Sequence, residues 1–109
     1  MVLPPGLVRG NEEHILEIRK DVRVVRLLLE ATYELPAGDY AVVIHNVSNV
    51  HVWTKNLQLT RTQRPPLQLD IPVEVLPLGT YTVSLSKTGS DAVSYPPIEY
   101  AFVVKQAGK

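Results

Sequence analysis

The chain has 109 residues, no net charge at pH 7, no cysteine and an apolar fraction of 45%. This composition is typical of one folded domain and excludes a disordered acidic segment, a disulfide-stapled scaffold and a thiolate metal site. Because no part of the chain is a polycation, it lacks the long-range attraction that nucleic-acid binders use, and we expect no nucleic-acid partner.

The start of the chain carries no targeting or membrane signal. Residues 1–6 lack the basic and apolar regions of a signal peptide, and no apolar run approaches the ~18 residues of a membrane span. We therefore expect a soluble single domain over residues 1–109. The abrupt Pro4-Pro5-Gly6 start favours a fragment of a longer, membrane-anchored protein with Met1 added.

β-Branched residues set the expected secondary structure. Valine, isoleucine and threonine together supply 28 residues, and such side chains fit pleated strands better than helices. Proline and glycine clusters recur at intervals too short for long helices. Between them, apolar and polar residues alternate with the two-residue period of a strand. The alternating segments are residues 14–18, 25–30, 40–45, 50–54, 67–71, 80–86 and 98–105.

These segments predict an all-β domain. We expect an antiparallel β-sandwich of about seven strands, immunoglobulin- or fibronectin-like in the broad sense. The residues that alternation places inward form the predicted core: Leu16, Ile18, Leu27, Leu29, Tyr40, Val42, Ile44, Trp53, Leu69, Tyr81, Val83, Leu85, Tyr100 and Phe102.

Residues 12–31 also fit a different structure. Ile15, Ile18, Val22, Val25 and Leu29 fall at spacings of 3 and 4, which is the apolar seam of an amphipathic helix. The Lys20-Asp21 break in apolar content argues against the helix. The sequence therefore favours two strands here and leaves a helix as the alternative.

One pattern, L-P-x-G-x-Y-x-V-x-[I/L], occurs twice, at residues 35–44 and 76–85. Proline fixes φ, glycine permits a positive φ, and each strand then begins with an inward tyrosine. In sandwich domains a tyrosine so placed commonly donates its hydroxyl to a carbonyl of the corner. We interpret Tyr40, Tyr81, Gly38 and Gly79 as structural corner residues and not as catalytic ones.

The histidines are the first candidates for chemistry. His45 and His51 flank a turn, so their imidazoles could meet across a hairpin, while His14 is distant in sequence. No cysteine or carboxylate lies between them to complete a coordination set. We expect solvent-facing histidines, no metal and no cofactor.

Catalytic patterns are missing from the sequence. Asp39, Asp70 and Asp91 are separated and fall at turns or outer faces, which is typical of backbone-capping carboxylates. No serine lies in a G-x-S-x-G elbow, and no glycine-rich phosphate loop occurs. The sequence predicts that the protein is not an enzyme.

A few side chains are candidates for ligand or partner contact. Alternation does not place Tyr33 or Tyr95 inward, and Trp53 is either a plug of the core, in a central strand, or a carbohydrate platform. Arg61 and Arg64, near Lys55, form the only uncompensated basic cluster. It is either a solvated loop or a site for an anionic partner.

A family resemblance runs through most of the chain. The blocks that carry it are residues 7–10, 25–30, the corner strand with Tyr40, Val52-Trp53 with Leu57, residues 67–72, residues 75–86 and residues 100–104. On these blocks the chain resembles the C-terminal extracytoplasmic domain of bacterial, Acidobacteria-type, zinc-finger and anti-sigma-factor-like membrane proteins.

The resemblance implies a place on the periplasmic side of the inner membrane. In such proteins a cytoplasmic Cys/His segment binds zinc and holds a sigma factor, and a single helix crosses the membrane. This sequence contains neither part, so zinc and sigma-factor binding are assigned to no residue here.

The predicted function is a non-enzymatic interaction or sensing module. It would bind an unidentified protein or envelope ligand through a strand edge or a loop cluster. Two alternatives are a carbohydrate-binding accessory module, and a structural or self-associating spacer domain. The sequence does not predict the oligomeric state.

Overall fold

The computed structural model describes residues 1–6, 14–32, 34–88 and 96–107. These residues form β-strands and one short 3-10 helix, and they contain no α-helix, which confirms the predicted all-β class. Within the same ranges, no helix combines the length and the apolar character that a bilayer crossing demands. The elements are β1 (Val2–Leu3), β2 (Ile15–Ile18), β3 (Val24–Leu29), β4 (Gly38–Asn46), β5 (His51–Leu59), β6 (Leu67–Pro72), the 3-10 helix (Val73–Val75), β7 (Gly79–Lys87) and β8 (Ile98–Gln106).

The strands form two sheets. The smaller has the order β1-β3-β6 and the larger the order β2-β8-β7-β4-β5. Pairs among the long strands are antiparallel, whereas β1 runs parallel to β3 and β2 runs parallel to β8. Both sheets are therefore mixed, and the expectation of an antiparallel sandwich holds only for β3 to β8. Alternation encodes which face a residue occupies, but it does not encode the direction of the neighbouring strand.

The inner faces of the two sheets share one core. It joins β3 and β6 of the small sheet to β4, β7 and β8 of the large one. Of the predicted core, Leu16, Ile18 and Trp53 are only half-buried, and the remaining members are buried. Buried apolar residues absent from the predicted core are Leu3, Val25, Leu35, Leu67, Ile71, Leu76 and Val104.

The two sheets differ in width, and this explains the half-buried positions. Neighbouring strands lie about 4.8 Å apart, so three strands cover only the middle of a five-stranded sheet. Neither β2 nor β5, the outer strands of the large sheet, contains a fully buried residue. The inner faces of both outer strands are therefore only partly covered.

The region of the helix alternative forms strands. Residues 15–18 are β2 and residues 24–29 are β3, with a turn at Lys20 and Asp21 between them. Val25 is buried, while Arg26 points outward and its Nε lies 3.1 Å from Asp70 Oδ1 on β6. Pairing with β6 and β8 thus replaces the hydrogen bonds of a helix. Residues 12 and 13 lie outside the described ranges.

Candidate functional site

The first L-P-x-G-x-Y corner is closed by a side chain hydrogen bond. The Tyr40 hydroxyl donates to the carbonyl oxygen of Pro36 at 2.7 Å. Gly38 has φ of +142°, in the range that favours glycine. Leu35 before the corner and the ring of Tyr40 after it are both buried. The corner therefore fixes where β4 starts.

The second corner repeats the arrangement at β7. The Tyr81 hydroxyl donates to the carbonyl oxygen of Pro77, and Gly79 has φ of +150°. Burial raises the pKa of Tyr81 above its ordinary value of 10.0. The hydroxyl therefore keeps its proton at neutral pH and remains a donor, as a structural role requires.

Each corner tyrosine also faces a neighbour on the adjacent strand. Tyr81 lies opposite Phe102 on β8, and their rings stack with centroids 5.5 Å apart. Tyr40 lies opposite Lys87 on β7, and the Lys87 Nζ sits 5.4 Å from the centre of the Tyr40 ring. Both tyrosines are thus held from two sides, by a corner carbonyl and by a cross-strand partner.

Lys87 is a buried charge that the sequence analysis did not single out. Its side chain is only 7% exposed, and its Nζ donates to the carbonyl oxygen of Ala37 at 3.2 Å. The cation–π contact with Tyr40 adds a second favourable interaction. Continuing the inward alternation of Tyr81, Val83 and Leu85 by one step would have identified it.

The outer edge of β5 is an open strand edge. β5 pairs with β4 along its length, from Gly38 opposite Leu59 to His45 opposite His51, with a bulge at Ile44 and His45. No strand formed by the described residues pairs with its other side. The strand is nine residues long, and the sequence predicted only residues 50–54. Three of the five residues in its second half, 55–59, are polar, and the predicted strand was not extended over them.

The inner face of β5 carries three apolar side chains, of Trp53, Leu57 and Leu59, and one cation. Trp53 lies opposite Ile44, and Leu57 lies opposite Tyr40; both are half-buried and pack against the core. Lys55, opposite the buried Val42, stands between them and is exposed. Lys55 is the only Lys, Arg, Asp or Glu in the strand. Trp53 therefore lies on an edge strand, and not on the central strand that the sequence suggested.

The basic residues predicted to form a cluster are spread along the chain. Arg61 and Arg64 are exposed in the loop after β5, and Arg64 Nε lies 3.4 Å from the Glu34 Oε1 oxygen. Lys55 lies six positions before Arg61, which corresponds to about 20 Å of extended chain. The structure therefore does not bring Trp53 and these arginines into one site. Tyr33 and Tyr95 lie outside the described residues.

Two of the three histidines lie close together. His45 and His51 lie opposite each other near the β5 bulge, and their ring centroids are 6.2 Å apart. His14 precedes β2, at the opposite edge of the same sheet. In the described part of the chain, no three His, Cys, Asp or Glu side chains are grouped as metal ligands require.

The aspartates do not form a catalytic pair. Asp39 is at the start of β4, whereas Asp70 lies on β6 in the other sheet and contacts Arg26. Asp91 lies outside the described residues. Asp39 and Asp70 are both exposed.

A shallow cleft of about 390 Å³ lies between the β2–β3 turn, the 3-10 helix and the start of β7. Its charged lining residues, Arg19 and Lys20, are exposed. Among the described side chains, no buried nitrogen or oxygen atom lacks a hydrogen-bond partner, so no such atom marks this cleft as a ligand site. Its apolar lining includes Ile18, Val22, Val73, Leu76, Leu78 and Val104.

Comparison with known proteins gives no relative from which to transfer a function. The chain matches no family model, and no significant match is found among curated proteins or solved structures.

Proposed function

We propose that the domain is a non-enzymatic interaction module that binds an extended segment of a partner protein along the outer edge of β5. The observation that supports it is a nine-residue edge strand whose outer side pairs with no other strand of the described residues, and which carries one charged residue and a half-buried tryptophan. Unpaired N–H and C=O groups on such an edge are a template for another strand.

The mechanism is strand addition. The main chain of the incoming segment pairs with β5, and the side chains that alternate onto the inner face select the sequence. β4 pairs with β5, and β7 pairs with β4 in the same sheet; both carry buried core residues, so the edge is supported by a rigid scaffold. Binding therefore orders only the incoming segment and needs no rearrangement of the domain.

β5 is a better candidate than the other outer strand of the same sheet. β2 is four residues long, against nine for β5. A longer edge offers more main-chain hydrogen bonds, which give most of the affinity in strand addition. Only β5 also presents a large aromatic side chain.

We place the module outside the cytoplasm, as the outer domain of an anti-sigma-factor-like regulator. This part of the proposal rests on the blocks of resemblance alone. A sensing domain of that kind would bind an envelope protein and pass the bound state to the cytoplasmic segment. The gene's reading frame tests it: a Cys/His segment and a membrane helix encoded upstream of Val2 would support the proposal, and their absence would contradict it.

Selection from a displayed library of random peptides tests strand addition directly. The wild-type domain is expected to enrich peptides, and Trp53→Lys is expected to lower their binding at least tenfold, because it removes the apolar surface of Trp53 and puts a charge in its place. Ile15→Lys on β2 is the matched control, since it puts a lysine on the opposite edge at a position that is 41% exposed. Circular dichroism verifies that both variants fold.

Other outcomes point to other functions. A glycan array signal that disappears in Trp53→Ala would favour a carbohydrate-binding module. Concentration-dependent dimers in the absence of peptide would favour a self-associating spacer. Peptide binding that Trp53→Lys leaves unchanged would show that β5 is not the site.

A further inference from the structure

The inner face of β5 presents an alternating pattern that an added strand would meet. Trp53, Lys55 and Leu57 stand at every second position on this face. In a β-ladder, residues directly opposite each other have their Cβ atoms about 4.5–5.5 Å apart. A segment added to β5 would therefore place one residue opposite each of these side chains.

Lys55 places the strongest constraint on the residue that an added strand puts opposite it. It stands between two half-buried apolar side chains, and no described carboxylate forms an ion pair with it. An added strand would remove water from around the ammonium group. A charge that loses water without gaining an opposite charge is strongly unfavourable. A carboxylate is therefore favoured over a neutral or a basic side chain opposite Lys55.

Trp53 and Leu57, on either side of Lys55, favour a different kind of side chain opposite them. Trp53 and Leu57 are already partly packed against the core, and their exposed portions are apolar. Covering them with apolar side chains removes more of this surface from water. The same two-residue period places these side chains two positions before and after the acidic residue.

We propose that the segment bound by β5 is an extended acidic peptide of the form apolar-x-Asp/Glu-x-apolar, with its carboxylate opposite Lys55. This inference rests on the proposed strand addition and specifies its partner. The pattern reads the same in both directions, so it applies to a parallel or an antiparallel incoming strand.

A second copy of this chain does not fit the same edge. An antiparallel β5–β5 pairing that keeps the inner faces together places Lys55 opposite the same residue of the second copy, or opposite an apolar side chain such as Trp53 or Leu57. Like charges directly opposite destabilise a ladder. The chain also contains no acidic residue with Leu, Ile, Val, Met or an aromatic residue two positions away on both sides. The partner is therefore a different protein.

Titration calorimetry with three synthetic peptides tests the inference. The peptides share one extended sequence with Leu-Thr-X-Thr-Leu at the centre, where X is Asp, Asn or Lys. The wild-type domain is expected to bind the Asp peptide about tenfold more tightly than the Lys peptide, with the Asn peptide between them. In Lys55→Glu the preference is expected to reverse, and added salt is expected to weaken the preference in both proteins.

Arg61→Glu is the control for net charge. It makes the same change in total charge from an exposed position in the loop after β5, so the preference for Asp over Lys is expected to survive. Suppose that Trp53→Lys abolishes binding but Lys55→Glu does not change the preference for the Asp peptide over the Lys peptide. This result would overturn the acidic pattern and leave strand addition intact. Equal effects of Lys55→Glu and Arg61→Glu would also overturn it. If peptides selected by the domain also bind independently of Trp53, strand addition itself fails.

Discussion

Replacing Phe102 with alanine is expected to lower the free energy of unfolding by about 3–5 kcal/mol. Phe102 is 1% exposed, and its ring stacks on Tyr81 with the planes 24° apart. The change leaves a cavity between the sheets and removes one of the two supports of the second corner. A domain of this size has a total stability of roughly 5–15 kcal/mol. The variant should therefore lose at least about a fifth of the total stability.

Urea denaturation followed by circular dichroism measures this effect. Leu78→Ala is the matched control, because Leu78 is 64% exposed and its truncation should change stability by no more than about 0.5 kcal/mol. A loss below about 1 kcal/mol for Phe102→Ala would contradict the placement of the Phe102 ring in the core between the sheets.

Gly38→Ala is expected to destabilise the domain more than Gly79→Ala does, although the two glycines occupy the same place in the repeated corner. Both positions have positive φ, and an alanine there costs about 1–3 kcal/mol. Only at Gly38 would the new Cβ also collide with the Lys87 ammonium group, whereas at Gly79 it would enter open space. Displacing Lys87 breaks the hydrogen bond from its Nζ to the carbonyl oxygen of Ala37. We therefore expect Gly38→Ala to lose about 1–2 kcal/mol more of the free energy of unfolding.

A double-mutant cycle with Lys87→Met separates the two contributions. In the Lys87→Met background, the loss of stability caused by Gly38→Ala should fall towards the loss that Gly79→Ala causes in the wild type. Equal losses for the two glycine variants in the wild type would show that Lys87 does not occupy the corner as described. Both comparisons use the midpoint of urea unfolding.

The sequence could predict the all-β class because the β-branched content, the spacing of proline and glycine, and the two-residue alternation all indicate strands. Val25, Leu27 and Leu29 alternate with polar or less buried neighbours, and all three are buried on the inner face of β3. The corner pattern marked the start of β4 and β7, because proline, glycine and an inward tyrosine act locally. Features that depend on a few adjacent residues are accessible from the sequence.

Features that depend on distant pairing were not accessible. β1 pairs in parallel with β3, and β2 pairs in parallel with β8. These strand directions depend on how the connecting segments run through the fold, which alternation does not encode. The second half of β5 becomes a strand because β4 extends beside it, from Ala41 opposite Asn56 to Gly38 opposite Leu59. The half-burial of Trp53 follows from the unequal width of the two sheets.

The candidate site was predicted in part. Trp53 was singled out as one of the three aromatic residues left for a binding role once four others were assigned inward by alternation. Its place on an edge strand emerges only from the strand order. Arg61 and Arg64 were grouped with Lys55 by proximity in sequence. The extended geometry of β5 separates them, and it places Lys55 between Trp53 and Leu57 instead.

The most direct test of the β5 edge is nuclear magnetic resonance of the isotope-labelled domain titrated with the Asp peptide. Strand addition predicts that shift changes centre on residues 51–59, and that β5 amides not bonded to β4 become protected from hydrogen exchange only when peptide is bound. Amides of β7, which is paired on both sides, should be protected throughout. Shift changes that centre instead on the cleft near Val73 and Leu78, or on the loop at Arg61 and Arg64, would contradict this account.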